Sequence, residues 1–311
     1  MKRDPVAFVD GILETAIAEN ASDIYLVPLS SSYSVRIRVE GIQREIDGLP
    51  IEFGERCVAR IKALAGMLSY RTSVAQDGVI RAEAEFRVAT MPTIRGERAA
   101  IRIFRGSDAP MPLDELGFDS GTEAALRRVA LRPEGLAILT GPTGSGKTTT
   151  IYAMIRSLVE TERDPASIIT IEDPVERTIE GVSQSSITNE WSYADALRAA
   201  LRQDVKTLVI GEMRDREVVR VALDAALTGH RVITTYHAGD VPSVFARLLH
   251  QGFEPFLVAA AVSGVVSQRL VPGEDKKRRP AASVLEMDDD WRGFIASAPS
   301  LREIRGKFEG Q

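Results

Sequence analysis

The stretch Gly141-Pro142-Thr143-Gly144-Ser145-Gly146-Lys147-Thr148 decides how this 311-residue chain is interpreted. It follows the pattern G-x-x-x-x-G-K-[ST] of a phosphate-binding loop, or P-loop, whose glycines let backbone N–H groups turn towards a phosphate. The apolar run at 136–139 predicts a strand before the loop, and apolar positions in 149–159 predict a helix after it. This context predicts a nucleoside triphosphate site, and a glycine-rich turn that binds no ligand is the alternative.

The residue types within the loop suggest separate tasks. Lys147 would neutralise the β- and γ-phosphates, and the Thr148 hydroxyl would bind Mg²⁺. A helix N-terminus adds unpaired amides and a favourable dipole. The residues expected to contact the nucleotide are therefore Gly141, Pro142, Thr143, Gly144, Ser145, Gly146, Lys147, Thr148 and Thr149.

Acidic residues follow two further apolar runs. The run 208–210 ends in Gly211-Glu212, which places Glu212 at the end of a predicted strand as a candidate catalytic carboxylate that orients water. A plain surface glutamate is the alternative. Because Gly211 occupies a position that often holds a metal-binding aspartate, Mg²⁺ would need other ligands, and Glu172 and Asp173 after the run 168–171 are the candidates. A simple turn at Asp173-Pro174 is the other interpretation.

Two histidines flank the predicted strand at 232–235. His230 precedes this strand and His237 follows it, and either could donate a hydrogen bond to a γ-phosphate and report its presence. The alternative is one core histidine and one surface histidine without a catalytic role.

Two kinds of pattern divide the chain. Residues 1–105 open with an amphipathic helix that begins after Asp4, and continue with short β-rich runs and a second helix around 58–68. This mixture predicts an α+β domain. The polar, proline-containing segment 106–113 predicts a linker. Residues 114–311 alternate apolar strands with helical segments, which predicts an α/β domain around a parallel sheet.

Composition narrows the class of protein. Lys and Arg total 39 against 44 Asp and Glu, a formal net charge of −5, so nucleic acid is not expected as a partner. The single cysteine, Cys57, excludes a disulfide within the chain and a multi-cysteine zinc site. The longest apolar stretch, 256–266, is shorter than the ~20 residues of a membrane-spanning helix. We therefore expect a cytoplasmic protein whose membrane contact is peripheral and made through partners.

Together, the motifs resemble those of the secretion ATPases that power type II secretion and type IV pilus assembly or retraction. GPTGSGKTTT (141–150) is similar to the family's Walker A motif, and TIEDPVE (170–176) is similar to its aspartate box. LRQDVKTLVIGEMRD (201–215) and TGHRVITTYHAGD (228–240) resemble its Walker B motif and histidine box. The likeness covers nearly the whole chain through ASDIYLVP (21–28), QDG (76–78), RVATMPTIRGERAAIRIF (87–104) and QRLV (268–271).

The resemblance implies a RecA-like P-loop ATPase domain joined to a smaller N-terminal PAS-like α+β domain. It also implies ATP and Mg²⁺ as cofactors, and a homo-hexameric ring that acts on an inner-membrane platform protein. In the family, arginines of the first domain reach the phosphates, and Arg87 and Arg98 match those positions. A solvated ion pair is the alternative for each. Strand alternation should turn Arg87 away from the core that contains Phe86 and Val88.

Some positions depart from the family pattern. Val79 stands after Gln76-Asp77-Gly78 where an arginine is common, although Arg81 lies nearby. The basic segment 272–280 replaces the four-cysteine zinc element of many members, so no zinc is expected. The likeness begins at about Pro5, so an amino-terminal docking domain is not expected either.

The main hypothesis is a Mg²⁺-dependent motor that converts ATP hydrolysis into rotation between domains. One alternative is a nucleotide-gated scaffold with little turnover. Another is a RecA-like motor in DNA transfer, which the acidic balance and the aromatic content of 6% disfavour.

Overall fold

The computed structural model describes residues 4–39, 41–82, 84–104, 110–188, 191–273 and 278–310. The chain divides into two units, Met1–Asp108 and Ala109–Gln311. Half of the predicted linker, residues 106–109 of 106–113, lies outside the described residues, and its last residue begins a short 3-10 helix at Leu113–Glu115.

An antiparallel sheet and two helices form the first unit. Asp4 caps the opening helix by accepting from the amides of Val6 and Ala7, with Pro5 as the first helical residue, as the sequence predicts. The sheet order is β3-β2-β1-β6-β5-β4. The elements are α1 (Pro5–Ala18), β1 (Asp23–Pro28), β2 (Ser32–Val39), β3 (Ile42–Pro50), α2 (Ile51–Leu64), β4 (Gln76–Arg81), β5 (Glu85–Thr93) and β6 (Gly96–Phe104).

A buried ion pair lies among the apolar side chains of the first unit's core. Alternate residues of the strands, such as Ile37 and Phe86, pack with apolar residues of α1 and α2. Lys62 of α2 is fully buried, and its Nζ lies 2.7 and 3.0 Å from the two carboxylate oxygens of Glu97. It also donates to the Arg71 carbonyl at 2.8 Å. All three ammonium donors of Lys62 therefore have partners.

A mainly parallel sheet forms the centre of the second unit. Its strand order is β13-β12-β7-β11-β10-β8-β9, and only the β12–β13 pair is antiparallel. The elements are α3 (Ser120–Leu131), β7 (Gly135–Thr140), α4 (Lys147–Thr161), β8 (Ile168–Glu172), β9 (Ser183–Ser186), α5 (Tyr193–Ala200), β10 (Thr207–Ile210), α6 (Arg216–Leu227), β11 (Arg231–Thr235), α7 (Val241–His250), α8 (Pro255–Ala261), β12 (Val262–Pro272), β13 (Arg278–Glu286), α9 (Asp289–Ala296) and α10 (Leu301–Glu309).

The four strands predicted from apolar runs in the second unit are confirmed as β7, β8, β10 and β11. They are parallel, and every residue of β7, β10 and β11 is buried, because helices cover both faces of such a sheet. Consequently, the segments that follow these strands meet at one edge of the sheet, where the P-loop lies.

The structure adds strands that the sequence analysis did not predict, namely β3, β9, β12 and β13. The apolar stretch 256–266 is divided between α8 and the start of β12. The basic segment 272–280 contributes Pro272 to β12 and Arg278–Pro280 to β13, while 274–277 lie outside the described residues. In the part of the chain that the structure describes, the helices are too short or too polar to span a bilayer.

Candidate active site

The P-loop joins β7 to α4 near the middle of the sheet. Gly144 and Gly146 have left-handed φ values of 76° and 87°, and Gly141 has φ 137°, a conformation that side chains rarely adopt. A Cβ on Gly141 would also lie 2.1 Å from the carbonyl oxygen of Gln268. Because the first amides of α4 have no intrahelical acceptor, the loop and the helix together present a site suited to an anion.

Lys147 begins α4 and turns back over the loop. Its Nζ donates to the carbonyl oxygens of Gly141 at 2.9 Å and Pro142 at 3.0 Å. Burial lowers the pKa of Lys147, and the negative charge of Glu212 opposes this shift. The two side chains are therefore close enough to interact electrostatically.

Glu212 follows β10 and is held by two basic side chains. Arg214 donates from Nε to its Oε2 at 2.9 Å, and His237 Nε2 contacts its Oε1. Arg214 also donates from Nη1 to Oδ2 of Asp173 at 2.8 Å. The ends of β8, β10 and β11 thus bring together Asp173, Glu212 and His237, three of the side chains that the sequence singled out.

The glycine before Glu212 has a steric reason. A Cβ on Gly211 would lie 3.1 Å from the Tyr193 hydroxyl and 3.3 Å from Cα of Glu172. Larger side chains, including the aspartate common at this position, would need Tyr193 or β8 to move. The local packing therefore explains why this strand end carries one carboxylate, Glu212.

Glu172 occupies a different environment from its neighbour Asp173. It is only 6% exposed, and its carboxylate accepts hydrogen bonds from Tyr152 at 2.5 Å, Thr170 at 2.5 Å and Gln184 at 3.2 Å. Burial and the Glu172 charge raise the pKa of the Tyr152 hydroxyl, which keeps it a donor. Both oxygens of Glu172 thus bond protein donors, whereas the Asp173 side chain is 37% exposed and faces Arg214.

His230 does not join the other site residues. It precedes β11, whereas the P-loop and His237 lie beyond the opposite ends of β7 and β11. Its Nδ1 lies 3.0 Å from the Ala225 carbonyl oxygen and 3.1 Å from the Thr228 hydroxyl. Five residues of extended strand, about 17 Å, separate the two histidines. Both histidines were predicted as site residues because each flanks the strand. Only His237, at the carboxyl end of β11, lies at the site.

Arg87 and Arg98 lie in the first unit. Arg87 Nε donates to Glu85 at 3.0 Å and its guanidinium lies 4.1 Å from the centroid of the Phe104 ring. As expected from strand alternation, Phe86 and Val88 are buried while Arg87 is partly exposed. Arg98 stacks near the Tyr25 ring at 5.8 Å. The cross-strand neighbours of Arg87 are Val79 on β4 and Arg102 on β6, and Arg102 was not singled out from the sequence.

The donor set fits a Mg²⁺-nucleotide. No cluster of three His, Cys, Asp or Glu side chains suited to a metal occurs in residues 4–39, 41–82, 84–104, 110–188, 191–273 and 278–310. Nucleotide-bound Mg²⁺ takes most of its ligands from phosphate oxygens and water, so one hydroxyl and one carboxylate are sufficient. Thr148, half-buried at the start of α4, and the partly exposed Asp173 are the residues that would supply these groups.

Three residues of the site were missed as individual functional residues. Arg214 links Glu212 to Asp173, Tyr152 links α4 to Glu172, and Gln268 of β12 bonds the P-loop itself. Arg214 and Gln268 stand inside the quoted segments 201–215 and 268–271, so the motifs marked their positions. Their partners lie 41 and 123 residues away, and spacing alone does not reveal such contacts.

Comparison with known proteins agrees with this geometry. The family model described as "Type II/IV secretion system protein" matches residues 3–308. The chain belongs to this family. The type II/IV secretion relatives include type II secretion system protein E of Pseudomonas aeruginosa, 37% identical over 86% of this chain and 54% of that protein. The type IV pilus assembly ATPase PilB of Myxococcus xanthus is 38% identical over 85% of this chain and 48% of its own length.

The chain therefore spans about half the length of these curated relatives. Solved structures also match. The pilus retraction motor PilT with bound ADP has a TM-score of 0.77 and 30% identity, covering 96% of this chain and 89% of its own. The Legionella pneumophila ATPase DotB has a TM-score of 0.81 and 25% identity, covering 98% and 87%. The predicted fold class, α/β with a RecA-like P-loop domain, is confirmed.

Proposed function

We propose that this chain is a Mg²⁺-dependent ATPase that powers a type II secretion or type IV pilus system. In this proposal, homo-hexameric rings on the cytoplasmic face of the inner membrane drive a platform protein through rotation between domains 1–105 and 114–311. Family membership and the names of the relatives support the type of system.

The observation that carries the proposal is the position of Glu212 relative to Lys147. They extend from segments at the same sheet edge, and the negative charge of Glu212 acts on the Lys147 ammonium. This arrangement pairs a cation for the phosphates with a carboxylate for the attacking water, which is what phosphoryl transfer to water requires. The Glu212 side chain is 19% exposed and held between His237 and Arg214, which distinguishes it from a freely solvated surface glutamate.

Each side chain has one task in this proposal. The P-loop amides and Lys147 bind the phosphates, Thr148 and Asp173 hold the metal, and Glu212 accepts a hydrogen bond from water. Bound Mg²⁺ would supply positive charge to the terminal phosphates. His237 positions Glu212, and Glu172 keeps its place as a support for the loop that carries Asp173. Arg87 and Arg98 would add cationic charge from the first domain.

The test is ATP turnover of wild type and Glu212→Gln, with Glu254→Gln as a matched control because Glu254 is exposed at the start of α8. We expect turnover of Glu212→Gln to fall by about 10²–10⁴-fold, while ADP affinity stays within a few fold. Equal turnover in all three proteins would remove Glu212 from its assigned role. Nucleotide binding without phosphate release by wild type would instead support the nucleotide-gated scaffold.

A second experiment tests the ring. The mass of the particle, measured with and without a non-hydrolysable ATP analogue, should correspond to six chains when the nucleotide is bound. A particle that stays a single chain under both conditions, at concentrations where turnover is measurable, would contradict the homo-hexamer.

A further inference from the structure

Gln268 of β12 makes an unusual pair of contacts with the P-loop. It is 2% exposed, and its Nε2 donates to the carbonyl oxygen of Ser145 at 2.7 Å. Its Oε1 accepts from the hydroxyl of Thr150 at 2.8 Å. One side-chain amide therefore connects the loop to the first turn of α4, and both of its polar atoms are used.

The backbone of the P-loop approaches Gln268 closely at two glycines. A Cβ on Gly146 would lie 2.9 Å from Nε2 of Gln268, and a Cβ on Gly141 would lie 2.1 Å from its carbonyl oxygen. Gly141 and Gly146 thus leave room for Gln268, which packs on the outside of the loop. This requirement is separate from the space that a ligand needs inside the loop.

The direction of one peptide group follows from the contact. The carbonyl of Ser145 points to Gln268, and N–H and C=O of a trans peptide point in opposite directions. The Gly146 N–H is therefore directed away from β12 and into the loop, where a P-loop binds phosphate. With the peptide reversed, a carbonyl oxygen would face the phosphate instead.

The Gln268 amide stabilises one of these two orientations. Ser145 is 2% exposed, so its carbonyl needs a protein donor, and Gln268 supplies it. The Ser145 carbonyl fixes which end of the amide faces the loop, because a reversed amide would place two acceptors, its Oε1 and the Ser145 carbonyl oxygen, against each other. The Thr150 hydroxyl donates to the other end of the amide. Helix α4, which follows the P-loop, thus holds Gln268 through the Thr150 hydroxyl.

We infer that Gln268 is a positioning residue for nucleotide binding, which holds the Ser145–Gly146 peptide with its N–H towards the phosphate. This inference rests on the proposed function, because it assigns the support for the same phosphate site. Gln268 touches neither the water nor the metal in this role. Its loss therefore weakens binding of ADP and ATP and leaves kcat at saturating ATP nearly unchanged.

The experiment measures Mg²⁺-ADP affinity by calorimetry on the full chain, at a temperature where circular dichroism shows each variant folded. Gln268→Leu removes both bonds, and we expect about tenfold weaker binding, the size of one buried neutral hydrogen bond. Gln268→Glu places an acceptor against the Ser145 carbonyl and should bind at least as weakly. Gln43→Leu, at an exposed position of β3, is the control and should bind as wild type does.

A milder pair of variants separates positioning from folding. Thr150→Val keeps the shape of the side chain without the hydroxyl, and should weaken ADP binding about two- to tenfold. Thr150→Ser keeps the hydroxyl, and should bind within twofold of wild type. In the double variant Gln268→Leu/Thr150→Val, the loss should equal that of Gln268→Leu alone, since both changes break one unit.

The outcomes distinguish this inference from the proposed function. If wild type binds ADP, and Gln268→Leu and Thr150→Val bind it equally well with only a lower melting temperature, Gln268 is a purely structural residue and the inference is wrong. If Gln268→Leu does not fold, Thr150→Val against Thr150→Ser decides. If wild type itself binds no adenine nucleotide, the proposed function fails and this inference fails with it.

Discussion

A lysine and a glutamate interact in each unit of this protein, in two contrasting ways. Lys62 and Glu97 are buried and bond each other directly at 2.7 and 3.0 Å. In the second unit, Lys147 bonds two backbone carbonyls, while Glu212 contacts Arg214 and His237 instead. In the first pair, each charge is neutralised by the other. In the second pair, each side chain bonds other groups, which a ligand can replace.

Hydrogen bonding separates a structural ion pair from a ligand-binding site. A buried pair with complete hydrogen bonding has no charge left for a ligand, and separating it exposes an unpaired charge to a low dielectric. A partly desolvated lysine on neutral carbonyls gains charge neutralisation when a phosphate replaces them. The next four predictions test this contrast. To compare their sizes, a tenfold change in affinity or rate corresponds to about 1.4 kcal/mol of free energy.

The largest effect is expected for the structural pair. Lys62→Met leaves Glu97 buried without its cation, and should lower the free energy of unfolding by about 3–5 kcal/mol. Chemical denaturation measures this, with the exposed Lys206→Met as the control, which should stay within about 0.5 kcal/mol of wild type. Lys62→Met/Glu97→Leu should recover much of the loss. A change below about 1 kcal/mol in the single variant would mean that the pair is not structural.

The next effect concerns the ligand lysine. Lys147→Met should reduce ADP affinity about 100-fold, because the phosphates lose their one lysine contact in the loop. Its free energy of unfolding should change by less than about 1 kcal/mol, since Lys147 bonds only carbonyls. Calorimetry and denaturation of the same sample give both values. A stability loss as large as that of Lys62→Met, with ADP affinity retained, would reverse the contrast.

A smaller effect is expected for the side chain that holds Glu212. Arg214→Gln removes the guanidinium shared by Glu212 and Asp173, so turnover should fall about tenfold as Glu212 loses one of its two partners. Because Arg214 is about half exposed, the unfolding free energy should change by less than about 1 kcal/mol. Arg220→Gln, which breaks an exposed pair with Asp224, is the control for both assays. Unchanged turnover in Arg214→Gln would show that its contact with Glu212 is incidental.

The smallest effect is a pH dependence of stability. Burial lowers the pKa of Lys147 in the folded state below that of the unfolded state, about 10.4. Below the folded pKa both states carry the charge, and the burial cost is present in full. As pH rises through the folded pKa towards about 10.4, the folded state releases its proton first and this cost declines. Lys147→Met lacks the group, so its free energy of unfolding relative to wild type should fall as pH rises towards about 10.4. A relative free energy of unfolding that rises with pH instead would contradict the direction of the shift.

Short sequence patterns correctly predicted the elements that depend on interactions between residues close in the chain. The opening helix, the strands β7, β8, β10 and β11, and the P-loop all stand where capping residues, apolar runs and glycines indicate them. A fully buried parallel strand is apolar throughout, so it is visible in the sequence without knowledge of its neighbours. The positions of Asp173, Glu212 and His237 could also be predicted, because residues that follow parallel strands meet at one edge of the sheet.

Other elements required contacts between distant segments. β3 has the polar pattern Ile42–Pro50 with few buried residues, and it pairs as an edge strand through its backbone. β12 and the helix before it share one apolar stretch, and periodicity does not indicate where such a run changes from helix to strand. His230 and His237 flank one strand, and only the direction of that strand in the sheet separates their environments.

The sequence alone determined three features: the phosphate loop, the acids that follow the strands and the resemblance to the family. Each of them depends on residues that are adjacent in the chain. The tertiary structure decided which of these residues meet. It placed Asp173 and His237 with Glu212, gave Glu172 to buried donors, and joined Gln268 to the P-loop across 123 residues. The physical reason is that hydrogen bonds and charges act over a few ångströms of space, whatever their separation along the chain.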